Sequence, residues 1–271
     1  MNMIENLTEE NRVFVSFGGK CSFRCLHCYT FSRNFQSEDF FSIESIINNL
    51  KRKNKFDIIY VSGYKENFEN PNDGLDLVEA LFSEFRCHIL FTTRNIFNEA
   101  QVLRVSNLTK LMKESGKLLF ACVSISAYES YKKIEPSNKI PNPEKRIEFV
   151  KQLYENDIIT FLTLRPIYPD AFIPTKEYLK ILEKSYKFCN AVIASGIRVD
   201  DYIKDRLGTF PKDYVSKLTD WHCFNDMPIE EVNVEKELSE IDTFCREKNV
   251  CIFEESIPAM NYFYNHSKEE I

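Results

Sequence analysis

The residues best equipped for chemistry are Cys21, Cys25 and Cys28, in the stretch Gly18-Gly19-Lys20-Cys21-Ser22-Phe23-Arg24-Cys25-Leu26-His27-Cys28-Tyr29. Thiolates are soft ligands for iron and zinc. On one tight loop with CxxxCxxC spacing, three of them can hold three irons of a [4Fe–4S] cluster and leave the fourth iron open. Ferredoxin clusters take four cysteines and only pass electrons. A cluster one ligand short can do chemistry at its open iron. A Cys3His zinc site that includes His27 is another use of these groups. It suits the spacing less well, because no second CxxC or HxxxH follows and His27 lies between two of the cysteines. A disulfide framework suits it less still, since the cysteines number nine, an odd count, and no secretory leader opens the chain.

These residues need a scaffold, and the chain is long enough to supply one. Its 271 residues can bury a full core as a single domain of barrel or doubly wound type. Hydrophobic content of 44% and charged content of 28% are ordinary for a globular protein. No run approaches the roughly 18 apolar residues of a membrane span. A cytoplasmic location is therefore expected, where thiols stay reduced. The net charge of −6 creates no general field for nucleic acid. The basic run Lys51-Arg52-Lys53-Asn54-Lys55 reads as a solvated helix end.

Apolar strand-like runs alternate with helical ones, the pattern of βαβ units and a parallel sheet. Strands are expected at 12–17, 57–62, 87–92, 118–126, 158–165 and 190–195. Helices are expected at 42–53, with Ser42 as N-cap, and at 75–86, 101–114, 143–155, opened by Pro143, and 175–187. The fold class is α/β, a partial (β/α)6 TIM-type barrel over 1–200. Residues 201–271 should pack on or cap the barrel, with a helix at 229–248 and a strand at 250–254. The cysteine loop then follows the first strand, on the face where such barrels gather their ligands.

Other strand ends carry polar groups on that face. Period-two alternation turns Cys122, Ser124 and Ser126 to one side. Small polar groups in a barrel interior need a polar ligand or one another. Arg165, at the mouth of an apolar strand, offers a planar fork suited to a carboxylate. Cys87, Cys122, Cys189, Cys223, Cys245 and Cys251 fall in no CxxC and read as small buried hydrophobes, so no auxiliary cluster is expected. Asp200, Asp201 and Asp205 suit a helix start or a cationic substrate. Asp220-Trp221-His222-Cys223-Phe224 suits a hydrophobic plug over the barrel end.

The three-cysteine loop, with His27 just before its last cysteine, resembles the signature of the radical S-adenosylmethionine (radical SAM) superfamily. That resemblance implies a [4Fe–4S] cluster on Cys21, Cys25 and Cys28 with S-adenosylmethionine as cofactor, His27 being part of the cofactor site. Ser62-Gly63-Tyr64-Lys65-Glu66 resembles the superfamily's GGE motif, which receives the cofactor's amino group, although two residues separate Gly63 from Glu66 where one is usual. By the same resemblance Gly63, Tyr64, Glu66, Ser124, Ser126, Arg165 and Ser195 are cofactor contacts, Arg165 gripping the methionine carboxylate. Cys122 is a candidate hydrogen donor to a product radical.

The implied reaction is reductive cleavage of the cofactor to a 5′-deoxyadenosyl radical that takes hydrogen from a substrate. That substrate would be a small molecule, nucleotide or peptide, and the electron donor a flavodoxin or ferredoxin. Cys25-Leu26-His27-Cys28-Tyr29, Leu164-Arg165-Pro166-Ile167 and Gly196-Ile197-Arg198-Val199 resemble the branch that contains spore photoproduct lyase. A nucleic-acid repair lyase is thus an alternative, which the acidic charge disfavours. A non-catalytic iron–sulfur or zinc protein is another.

Overall fold

The computed structural model describes Thr8 and residues 11–32, 39–53, 55–61, 65–208, 210–211, 213–219 and 229–267. In chain order the elements are β1 (Arg12–Val15), α1 (Tyr29–Ser32), α2 (Ile43–Leu50), β2 (Ile58–Val61), α3 (Pro71–Phe85), β3 (His88–Thr93) and α4 (Glu99–Glu114). Next come β4 (Leu119–Ser124), α5 (Tyr131–Ile134), α6 (Pro143–Glu155), β5 (Ile159–Ile167), α7 (Thr175–Ser185) and β6 (Ala191–Gly196). The last part holds β7 (Arg198–Val199), α8 (Asp201–Leu207), β8 (Ser216–Thr219), β9 (Ile229–Val232), α9 (Glu235–Glu247), β10 (Cys251–Phe253) and α10 (Ser256–Ser267).

Among the described residues, seven strands form one parallel sheet in the order β1-β2-β3-β4-β5-β6-β10. The sheet is open, with β1 and β10 as its edges. Alternate residues feed two cores, as the pleat requires. Ile59, Val61, Leu119, Ala121 and Leu162 face the helices, in the larger core. Ile58, Leu90, Phe120, Phe161 and Ile193 face the other way and pack with Ile257, Ala259 and Met260 of α10. Tyr264, near the end of α10, meets His88 at the start of β3 with ring centroids 4.8 Å apart. The helix therefore runs down the concave side of the sheet and fills its lower half.

The helix caps are legible locally. Ser42 Oγ accepts from Ser45 N at 3.1 Å, and Pro143 opens α6 behind the N-cap Asn142. Helix α4 starts two residues earlier than expected, because Asn98 and Gln101 make a capping box.

The C-terminal part departs from the sequence expectation. The strand around 250–254 is a seventh strand of the main sheet, pairing Cys251 with Ala191 in parallel register. The stretch expected to be one helix from 229 to 248 splits. Ile229 and Val232 point inward as β9, which joins β7 and β8 in a three-stranded antiparallel sheet, and only Glu235–Glu247 is helical. Sheet pairing there outweighs the helical preference of Glu230 and Glu231. No helix among the described residues is long and apolar enough to cross a membrane.

Candidate active site

The carboxyl ends of the strands and the cysteine loop enclose a cavity of about 590 Å³. Cys21, Cys25, His27, Cys28, Glu66, Cys122, Ser124, Arg165 and Ser195 all line it, so one fold brings together sequence positions from 21 to 195. Gly63 and Tyr64 lie outside the described residues, as do Ser62 and the stretch from Asp220 to Phe224 with Cys223.

Ser126 is brought elsewhere. It is fully buried past the end of β4, is not part of the lining, and donates its hydroxyl to the carbonyl of Arg165 at 2.8 Å. The alternation that sets Cys122 and Ser124 toward the cavity ends with the strand.

The three cysteines lie on the loop after β1 and none is in a disulfide. Cys25 packs with Phe23 and Ile140 in a small buried cluster, and Cys21 and Cys28 border it. Burial pushes the Cys25 thiol up to about 12, against the pull of the nearby Arg94 cation. Burial also raises Cys21, opposed by main-chain N–H groups of Glu66 and Phe23. A cationic metal site reverses that balance, because a coordinating thiol is deprotonated. Among the described residues no three His, Cys, Asp or Glu side chains converge on the position of a single metal ion.

Behind the loop lies a polar network that carries no sequence motif. Glu135, fully buried, takes Arg146 Nη2 at 2.6 Å on one oxygen and Arg94 Nε at 2.9 Å on the other. Although burial opposes it, the Arg146 and Arg94 cations hold the Glu135 carboxyl down at about 2. Arg146 Nη1 also donates to the Ser124 carbonyl at 2.6 Å. Arg94 Nη2 lies 3.2 Å from His27 Nε2, while Tyr168 Oη lies 2.9 Å from His27 Nδ1. Burial and then Arg94 push the imidazole down to about 3, so His27 is neutral. Both of its nitrogens are engaged by protein, and the ring fastens the loop to the sheet. This network has no distinct signal in the sequence, since Glu135 follows Lys132-Lys133 and Arg146 closes the charged run Glu144-Lys145-Arg146.

Glu66 is likewise partly committed. Its oxygens accept from Phe68 N at 3.1 Å and Arg94 N at 2.8 Å, and burial raises its carboxyl above the usual range. From the insertion after β6, Arg206 donates to the Cys28 carbonyl at 2.7 Å and covers the Phe31 ring. Asp200 caps α8 through Ile203 N at 2.8 Å, the helix-start reading of that acidic cluster.

Deeper in the cavity, Tyr60 Oη and Thr92 Oγ1 lie 2.9 Å apart. Burial pushes the Cys122 thiol up to about 11, against Thr92 and Thr163 beside it, so it holds its proton at neutral pH. Arg165 has a buried Nε with no protein acceptor, and desolvation lowers its affinity for its proton. A buried guanidinium in that state calls for an anionic ligand. The donor set of three thiols outside any disulfide and a cation with an unsatisfied Nε in the same lining fits a cluster together with a carboxylate-bearing cofactor.

No protein-family model matches the sequence, and no curated protein matches it. Solved structures do. A cysteine-to-alanine variant of spore photoproduct lyase with dinucleoside spore photoproduct aligns with a TM-score of 0.56 and 13% identity, over 85% of this chain and 70% of that one. Streptococcus suis SuiB bound to S-adenosylmethionine aligns at 0.58 and 10% identity, over 91% of this chain but half (50%) of its own length. Native anSMEcpe with bound AdoMet aligns at 0.52 and 10%, over 89% of this chain and 63% of its own. The α/β fold of this chain, with its open parallel sheet, is thus shared with spore photoproduct lyase, SuiB and anSMEcpe.

Proposed function

We propose that this chain is a radical SAM enzyme in which Cys21, Cys25 and Cys28 hold a [4Fe–4S] cluster. The observation that carries the reading is the presence of three thiols outside any disulfide and the buried, unsatisfied Nε of Arg165 in the lining of one cavity. When bound, the cluster and S-adenosylmethionine supply an electron-driven carbon–sulfur cleavage that yields methionine and a 5′-deoxyadenosyl radical. The protein's part is binding, orientation and exclusion of water. Arg165 pairs with the cofactor carboxylate, and Ser124 and Ser195 offer hydroxyls along the same wall. Glu66 takes the amino group through the capacity its two main-chain donors leave. Gly63 and Tyr64 are proposed contacts from the sequence resemblance alone. His27 shapes the pocket wall while its nitrogens stay with Arg94 and Tyr168.

Cys122 is poised to return a hydrogen atom to a product radical, since its thiol is neutral and faces the cavity. The substrate is a small molecule, nucleotide or peptide, reached in the cytoplasm. A second reading, repair of a nucleic-acid lesion, is favoured by the likeness to spore photoproduct lyase with its dinucleoside ligand. The net charge of −6 weighs against it.

Anaerobic reconstitution tests the reading. About four irons per chain and release of 5′-deoxyadenosine on reduction with S-adenosylmethionine are expected. A colourless protein with bound zinc would overturn it. Cys25→Ala should lose iron and cleavage together. Cys122→Ala should retain cofactor cleavage and change what becomes of the substrate radical; an unchanged product profile removes Cys122 from the mechanism.

A further inference from the structure

The outer side of the cysteine loop has a charge unlike the rest of the chain. Residues 18–29 and 131–142 are far apart in sequence yet pack together. Leu26 N donates to the Ile134 carbonyl at 2.9 Å, and Phe23 and Cys25 share a buried cluster with Ile140. Between them the two segments carry Lys20, Lys132, Lys133 and Lys139, all exposed and none in the cavity lining, while Arg24 stands at the cavity. Their only acid is Glu135, which is buried between Arg94 and Arg146 and contributes no surface charge. A patch of four cations therefore stands on a protein of net charge −6. Glu69, beside the cysteine loop, holds Ser22 N at 3.1 Å and lies 3.8 Å from Lys65.

The lysines are held in place rather than left as free tails. Lys132 Nζ donates to the Ser137 carbonyl at 2.8 Å, and Lys133 Nζ donates to the Phe172 carbonyl at 3.0 Å while lying 3.7 Å from the centre of the Phe172 ring. One layer beneath the patch sit the proposed cluster ligands, with Cys25 only 7% exposed. None of the four lysines lines the cavity, so the patch can be occupied while a substrate is bound.

We propose that this patch is the docking surface for an acidic electron-carrier protein of the flavin or iron–sulfur kind. The inference rests on the radical SAM reading and adds where the electron enters. In the step, the reduced carrier loses one electron and the cluster gains it, with no atom transferred. Complementary charge speeds the encounter of such partners by about 10- to 1,000-fold, and salt screens it. A nucleic acid is the other polyanion that such a patch could meet. The position favours the carrier: the four lysines lie outside the lining of the cavity, in which a nucleic-acid substrate would have to react.

The test uses cluster-loaded enzyme and a reduced, acidic flavodoxin, following cluster bleaching by stopped flow at low and high salt. Lys132→Glu/Lys139→Glu should slow bleaching at least about tenfold at low salt and flatten its salt dependence. The same flavodoxin should bind the variant more weakly in calorimetry. Lys139→Glu alone spares the Lys132 contact to Ser137 and should give a smaller loss in the same direction. Lys53→Glu, at the far end of α2, should change nothing. Dithionite should bleach all variants to the same extent; a wild-type protein that shows no cluster to bleach overturns the radical SAM reading instead. Wild-type rates in the double variant, or binding of single- or double-stranded DNA that the double variant abolishes while flavodoxin reduction stays intact, would overturn the docking assignment.

Discussion

Arg146 and Arg165 sit on neighbouring parts of the same scaffold and are in opposite states. Arg146 is fully buried behind the cysteine loop, and both its terminal nitrogens are used, on Glu135 and on the Ser124 carbonyl, leaving only Nε over. Arg165 faces the cavity, and its buried Nε has no protein acceptor. The first arginine completes the fold and the second awaits a ligand. The difference separates residues that build the site from residues that hold something in it. His27 and Glu66 belong mostly to the first kind, although their sequence context pointed to the second.

The largest test of this division is Glu135→Ala, which leaves two arginines buried with their shared counter-ion gone. A loss of about 3–5 kcal/mol in unfolding free energy is expected, as for other broken buried ion pairs. Denaturant titration of the apoprotein measures it; a loss under about 1 kcal/mol would mean water reaches the network. The wild type should also show an acid limb. The Glu135 carboxyl lies at about 2 when folded against an ordinary 4.5, so its contribution is present above pH 4.5 and disappears as pH falls toward 2. Glu135→Gln should flatten that limb.

Arg165→Gln should behave in the reverse manner. Stability should hold or rise slightly, because a buried cation without a partner is removed. Affinity for S-adenosylmethionine should fall about 10- to 100-fold, the scale of one charge-assisted hydrogen bond of about 1.5–3 kcal/mol. Equilibrium binding to the cluster-loaded protein reads this directly. Unchanged affinity would place the cofactor carboxylate elsewhere.

The two kinds of residue were not equally legible in the sequence. The cysteine loop, Ser124, Arg165 and Ser195 could be placed because strand periodicity and strand-end position are local properties. The network of Arg94, Glu135, Arg146 and Tyr168 could not. Its members are drawn from four segments, and a charge in a charged run such as Glu144-Lys145-Arg146 reads as a solvated face until its partner is known. The seventh strand was read as an isolated C-terminal element, since nothing local reports which edge a strand will join. Helix α10 was missed altogether. Its aromatic side chains fill the concave face of the sheet instead of forming a regular stripe, so the helical period is weak.

The smallest effect lies at Ser126, which the sequence resemblance places among the cofactor contacts and the fold places outside the cavity. Its hydroxyl holds the carbonyl of Arg165, so it belongs with the residues that build the site. Ser126→Ala should cost about 1 kcal/mol of stability, the net worth of one neutral hydrogen bond with a buried acceptor left behind. Affinity for S-adenosylmethionine should stay within about twofold, because an offset of one neighbouring carbonyl is well under the 1.4 kcal/mol of a tenfold change. A larger drop in affinity with unchanged stability would make Ser126 a ligand-holding residue after all. It would also show that the strand-end alternation runs one residue pair further than the sheet hydrogen bonds do. Measured beside Arg165→Gln, this variant separates the side chain that meets the cofactor from the one that aims it.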